Sequence, residues 1–166
     1  MASVTAVSVD EYLKTSYEPN CEYIDGILVR KPMPTSRHSK VQGWIIALIY
    51  SRFPGFWVGA ELAVQVRHNK FLVPDVAVQD GSDVQEPYPI RPILLCVEVL
   101  SPDDSLNQTI AKCGTYHEWG TLDTWIIDPV AQRAWQYTKG SAPEEIEQSG
   151  ELRAGAIHLP LADIFR

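Results

Sequence analysis

The sequence predicts a single α/β domain in which a mixed sheet is flanked by helices. Three observations lead there. Helix-period and strand-period stretches alternate along the chain in the order helix, hairpin, helix, hairpin, strand, helix, hairpin. The chain has 166 residues, 45% of them hydrophobic and 21% charged, which suits one compact core. No internal repeat, heptad series or low-complexity linker divides it, so residues 1–166 read as one domain.

Each element has its own signal. Ser8 followed by Glu11 is a capping box, so "VDEYLKT" is predicted as a short helix. "CEYIDGILVR" places two β-rich runs around Asp25-Gly26, a hairpin signal. After the proline-punctuated "KPMPTS", Val41, Trp44, Ile45, Leu48 and Ile49 recur at helical spacing, with Ser36 as cap and Pro54-Gly55 as stop. "FWVGAELAVQV" and "FLVPDVAVQ" flank "RHNK" as a second hairpin. "ILLCVEVL" is predicted as a central strand. The stretch from Ser101 to Trp119 is predicted as a helix capped by Ser101 or a nearby Asp and ended by Gly120. "LDTWIIDP" and "RAWQYT" form a closing hairpin. Lys139 to Gly155 reads as an exposed turn region, with room for one edge strand, and "IHLPLADIF" completes the chain.

Bulk properties narrow the function classes. The net charge of −7 argues against a strong non-specific nucleic-acid binder, although local basic patches remain compatible with nucleic acid. Cys21, Cys96 and Cys113 are an odd number at wide spacing, as expected of buried thiols in a reducing compartment. The N-terminus has no signal-peptide pattern, and the longest apolar run, "WIIALIY", is far too short to span a membrane. A cytoplasmic protein without membrane partners is expected. There is no P-loop, Rossmann glycine pattern, Gly-x-Ser-x-Gly or zinc-ligand spacing, so no organic cofactor is expected.

Two acids stand out because each lies in an apolar strand, where an unpaired charge is costly. Asp75 heads "PDVAVQ", and Glu98 sits inside "ILLCVEVL". Strand alternation puts Asp75, Ala77 and Gln79 on one face, and Leu94, Cys96, Glu98 and Leu100 on one face. If the strands are neighbours, the acids meet. Two close carboxylates raise each other's pKa, and a hard cation such as Mg²⁺ resolves the conflict. Each acid alone also suits a turn cap or a strand edge. Lys112 lies about 100° round from Cys113 on the following helix, at the border of its buried face. There it could lay its stem on the core and bring its amine to the sheet, or stay solvated.

The segments "CEYIDG", "MPTSRHSKV", "VPDVAV", "VEVLSP", "IAKCGTYHEWG" and "TWIIDP", in this order, resemble a bacterial "putative restriction endonuclease" family of unknown function, within the PD-(D/E)XK nuclease superfamily. The resemblance runs from about Glu11 to Tyr137. It implies a restriction-endonuclease-like fold and a metal-dependent deoxyribonuclease acting on DNA, with Mg²⁺ or Mn²⁺ held by Asp75, Glu98 and the Val99 backbone carbonyl. The superfamily's usual lysine would stand at Leu100, and the family takes it from the next helix, where Lys112 fits. A second departure is Gln108, where many relatives have Asp. Glu22 and His38 fall in matching segments as supporting residues. Arg30, Lys31, Arg37 and Lys40, with Arg67 and Lys70 at the hairpin before Asp75, are the candidate phosphate grips. The rival reading is a nuclease-fold protein that no longer cuts and serves as a nucleic-acid-binding or assembly module. A homodimer suits either reading, since one small acidic chain offers little surface to DNA, and Trp57 and Trp135 could serve a subunit contact or the core.

Overall fold

The computed structural model describes residues 6–166. Helix α1 (Val9–Lys14) starts where the capping box predicts, with the Ser8 hydroxyl accepting from the Glu11 N–H at 3.1 Å. Strands β1 (Cys21–Ile24) and β2 (Ile27–Arg30) turn through Asp25 and Gly26, whose φ angles of 52° and 90° are the left-handed pair a two-residue hairpin needs. Helix α2 (Ser36–Arg52) is capped by Thr35 rather than Ser36, because the Thr35 hydroxyl is the one that accepts from the His38 N–H. Val41, Ile45, Leu48 and Ile49 form its buried stripe, and Trp44 lies outside it, exposed.

The second predicted hairpin is corrected by the structure. Its two long arms each break into two strands: β3 (Phe56–Ala60) and β4 (Val64–Arg67), then β5 (Lys70–Leu72) and β6 (Val76–Asp80). Strands β4 and β5 pair around His68-Asn69 in a four-stranded sheet ordered β2-β1-β5-β4. Strands β3 and β6 pair in a larger sheet. Both arms therefore cross between sheets, at residues 61–63 and 73–75. Glu61 takes φ 53° at the first crossing, and Pro74 at the second has no N–H to continue a ladder.

The larger sheet adds β7 (Leu95–Val99), β8 (Asp123–Asp128), β9 (Arg133–Thr138) and β10 (Glu144–Ile146), giving six strands in the order β10-β9-β8-β7-β6-β3. Strand β7 runs parallel to β8, with α3 (Leu106–Trp119) as the crossover, while every other pairing is antiparallel. That makes the predicted mixed sheet. Helix α3 is capped by Ser105, because Ser101 and Asp104 bond each other in a separate turn; Gly120 ends it as predicted. Strand β9 is followed by the edge strand β10, and then β11 (Glu151–Ala154) pairs with β12 (Ile157–Pro160) ahead of α4 (Leu161–Ile164). Part of the region predicted as exposed turns is thus core, since Leu152 and Ala154 are buried with Ile157, Leu159, Leu161 and Ile164.

Alternation divides the core. Val76, Val78, Leu95, Val97 and Val99 pack toward α2, α4 and the β11–β12 ribbon. Ala77 and Cys96 pack on the other face with Tyr116 of α3 and Val64 and Val66 of β4. Trp135 is 6% exposed and packs with Cys113 and Ile126, and Trp57 packs against the cluster around Val64, so both serve the core. Among the described residues, no helix is long and apolar enough to cross a membrane.

Candidate active site

The register of β6 and β7 brings the two acids together. Val76 pairs with Val97 and Ala77 with Cys96, so one further step sets Asp75 opposite Glu98. Both are buried, at 3% and 6% exposure. The Leu100 N–H bonds the Ile127 carbonyl on β8, which turns the backbone groups of Val99 toward β6. There the Val99 N–H donates to Asp75 Oδ2 at 2.6 Å. Continued one more pair, the register would face Val99 with Pro74, which has no N–H to give the Val99 carbonyl.

Lys112 reaches this end of the sheet. Its Nζ lies 2.9 Å from Glu98 Oε1 and 2.6 Å from Glu22 Oε1. One turn later on α3, the Tyr116 hydroxyl donates to Glu98 Oε1 at 2.8 Å. Glu22, on β1, also accepts from the Val73 N–H at 2.9 Å, which fixes it at the crossing that leads to Asp75.

On the other side of Asp75 stands a second lysine. Lys31 Nζ donates to Asp75 Oδ1 and Glu61 Oε2, each at 2.8 Å, and to the Val73 carbonyl at 2.9 Å. The Gln42 amide donates to Glu61 Oε1 at 3.0 Å and to the Asp75 carbonyl at 2.7 Å. His38 Nε2 lies 3.4 Å from Asp75 Oδ2, and its buried Nδ1 has no hydrogen-bond partner.

These neighbours pull the two acids apart electrostatically. Burial raises the Glu98 pKa, Lys112 only partly offsets it, and Asp75 adds to the rise, so Glu98 is pushed up to about 7. Burial opposes the Asp75 charge too, but the hydrogen bond from His38 and the charge of Lys31 win, and its pKa is held below the usual carboxylate range. The mutual raising expected of both acids therefore appears at Glu98 alone. Burial opposes the Lys112 charge, yet Glu98 and Glu22 outweigh it and hold its pKa above the ordinary lysine value. His38 is raised because its bond with Asp75 outweighs burial.

A pocket of about 630 Å³ opens over this cluster, lined by Glu22, Lys31, His38, Asp75, Glu98 and Lys112, with Arg30, Met33 and Gln108 also on its walls. Of the candidate phosphate grips, Arg30, Arg37, Lys40 and Arg67 are exposed and Lys70 is half-buried. Lys31 is engaged inside the pocket instead. Sequence reasoning missed Glu61, Gln42 and Tyr116. Gln42 lies four residues after His38 and Tyr116 four after Lys112, so helical spacing could have found both. Glu61 carries no such signal.

No cluster of three or more His, Cys, Asp or Glu in metal-holding geometry occurs among the described residues. The donor set nevertheless fits a hard cation. Asp75, Glu98 and the Val99 carbonyl offer only oxygen. With Glu98 ionised and His38 neutral, four carboxylates (Glu22, Glu61, Asp75 and Glu98) face two ammonium groups, leaving two negative charges, the charge of one divalent ion.

A family model described as Uma2, "Putative restriction endonuclease", matches residues 9–161. Among solved structures, a "putative nuclease belonging to DUF820" from Anabaena variabilis is 27% identical, with a TM-score of 0.80 over 96% of this chain and 97% of that one. No curated protein matches.

Proposed function

Because the chain belongs to the Uma2 family, whose model is described as "Putative restriction endonuclease", we propose that it is a metal-dependent endonuclease hydrolysing phosphodiester bonds in DNA. The observation that carries this reading is the convergence of Asp75 and Glu98 from adjacent strands, with the Lys112 ammonium 2.9 Å from Glu98. Asp75, Glu98 and the Val99 carbonyl would hold Mg²⁺ or Mn²⁺, which when bound would polarise a phosphoryl oxygen and acidify a water.

The chain's own residues divide the remaining work. Lys112 keeps its proton, because Glu98 and Glu22 stabilise the charged form. It therefore serves as a donor that orients the attacking water and steadies charge building on the phosphate, rather than as a base. Tyr116 pins Glu98, and His38 together with the Val99 N–H pins Asp75. Arg30, on the pocket wall, would supply positive charge for the DNA backbone, with the exposed Arg37 and Lys40 and the hairpin residues Arg67 and Lys70 as outlying grips. A cytoplasmic homodimer would give a small acidic chain enough surface to hold a duplex and one site for each strand. Light scattering that finds only single chains at micromolar concentration would remove the dimer from this proposal.

The test is cleavage of plasmid and linear DNA with Mg²⁺, Mn²⁺, Ca²⁺ or chelator. Cutting should need Mg²⁺ or Mn²⁺. Asp75→Ala should abolish it, and Lys112→Met, which keeps bulk and loses charge, should slow it by roughly 10²–10⁴-fold. Equal cutting by wild type and both variants would mean a contaminating nuclease. DNA retained but never cut, under any metal, would instead support a nucleic-acid-binding or assembly module.

A further inference from the structure

We propose that Lys31 is a tethered cation: its ammonium fills a second cation position, built from Glu61, Asp75 and the Val73 carbonyl, that would otherwise take a divalent ion of its own. This deepens the nuclease reading, and rests on it only for the neighbouring ion between Asp75 and Glu98.

The geometry around Lys31 differs from an ordinary ion pair. All three ammonium protons are used, each on a different oxygen, at 2.8, 2.8 and 2.9 Å. Two of those oxygens are carboxylate and one is a backbone carbonyl, the donor set a hard metal ion selects. The Lys31 side chain is 13% exposed, so its charge is turned into the protein rather than offered to a phosphate. Lysine is rarely buried unless paired, and this one is paired twice.

A second layer holds the oxygens in place. Gln42 takes the other oxygen of Glu61 and the carbonyl of Asp75. Asn20 reaches Glu61 Oε2 at 3.4 Å. The Asn20 carbonyl also accepts the Lys31 N–H at 2.8 Å, so the residue that braces the acid anchors the lysine's backbone. Such outer hydrogen bonds are what orient the ligands of metal sites. Asp75 is the shared element: Oδ1 faces Lys31, while Oδ2 faces Val99 and His38. A carboxylate that serves two cation positions is a feature of two-ion phosphodiesterase sites. Here one of the two cations is covalently part of the chain, and one diffusible ion is enough.

Mn²⁺ titration by calorimetry tests this without reference to activity. Wild type should bind one ion, and Lys31→Ala should bind two, because the vacated oxygens become available. Adding Glu61→Gln to Lys31→Ala should return the count to one. If Lys31→Ala is unfolded in chelator, Mn²⁺ should restore a cooperative melt, since an ion replaces the missing ammonium. A Lys31→Ala protein that takes up no more Mn²⁺ than wild type, or an unfolded one that Mn²⁺ does not rescue, overturns the proposal. One ion in both proteins would leave the nuclease reading intact and reject the tethered cation. No ion in wild type but one in Lys31→Ala would do the reverse.

Discussion

Glu98 is the residue whose charge the fold opposes most openly, and its titration gives a stability prediction. Its folded pKa of about 7 lies above the 4.5 of a free glutamate. Between those values the folded state keeps a proton that the unfolded chain releases. In metal-free protein, Glu98 therefore lowers stability as pH rises from about 4.5 to 7, by an amount on the order of 3 kcal/mol once complete. Glu98→Gln stays neutral throughout. Thermal melts in chelator should show it gaining on wild type at pH 8 and losing that advantage at pH 5. Asp75 has the opposite sign, because a lowered pKa makes its charge stabilising above the ordinary carboxylate range and the benefit fades on acidification. Asp75→Asn should accordingly be less stable than wild type at pH 7, by roughly the 3–5 kcal/mol of breaking a buried pair. Equal melting of the two variants at pH 8 would contradict this division.

At the scale of elements, the half of the site built on β6, β7 and α3 could be read from the sequence, and the other half could not. Alternation in "PDVAVQ" and "ILLCVEVL" set Asp75 and Glu98 on corresponding faces, and the helical period set Lys112 at the edge of the buried face; these are local periodicities that neighbours do not alter. The sheet crossings were hidden because "FWVGAELAVQV" and "FLVPDVAVQ" stay apolar and strand-like through the break. The first is interrupted by backbone conformation at Glu61, which no side-chain pattern reports, and the second at Pro74, the one visible strand breaker in that run. Lys31 reads from sequence as a phosphate grip because its three partners come from residues 30 to 44 positions away. Leu152 and Ala154 were misjudged because they lie among charged residues and pack only after the chain folds back over α2 and the large sheet. Gly120 shows the reverse, a local signal that held. Its φ is 126°, and an added Cβ would lie 2.6 Å from Pro92 Cγ. Gly120→Ala should cost more than ~1 kcal/mol in denaturant melts, from strain and crowding together. An unchanged midpoint would show that the end of α3 yields freely.

In the whole molecule, the site lies on the seam between the two larger sheets. Glu22 belongs to the four-stranded sheet and Lys31 follows its strand β2, while Glu98 belongs to the six-stranded sheet and Asp75 ends the crossing that leads into it. The ion pairs Lys31–Asp75 and Lys112–Glu22 span that seam, as do both crossings of the chain. The proposed chemistry and the cohesion of the fold would therefore depend on the same side chains. The three buried cysteines turn this arrangement into a timepiece. All three are free, Cys21 in the smaller sheet and Cys96 and Cys113 in the larger body. Burial holds the Cys96 thiol well above its ordinary value and pushes Cys113 up to about 12, so neither reacts until the structure around it opens. Each thiol is a stopped clock that a labelling reagent starts only on exposure. With the halves tied by two ion pairs and two chain crossings, mass spectrometry of the labelled protein should find the three clocks starting together. Cys21 running ahead of the others would date an earlier parting of the small sheet from the large one, along the line where the acids lie.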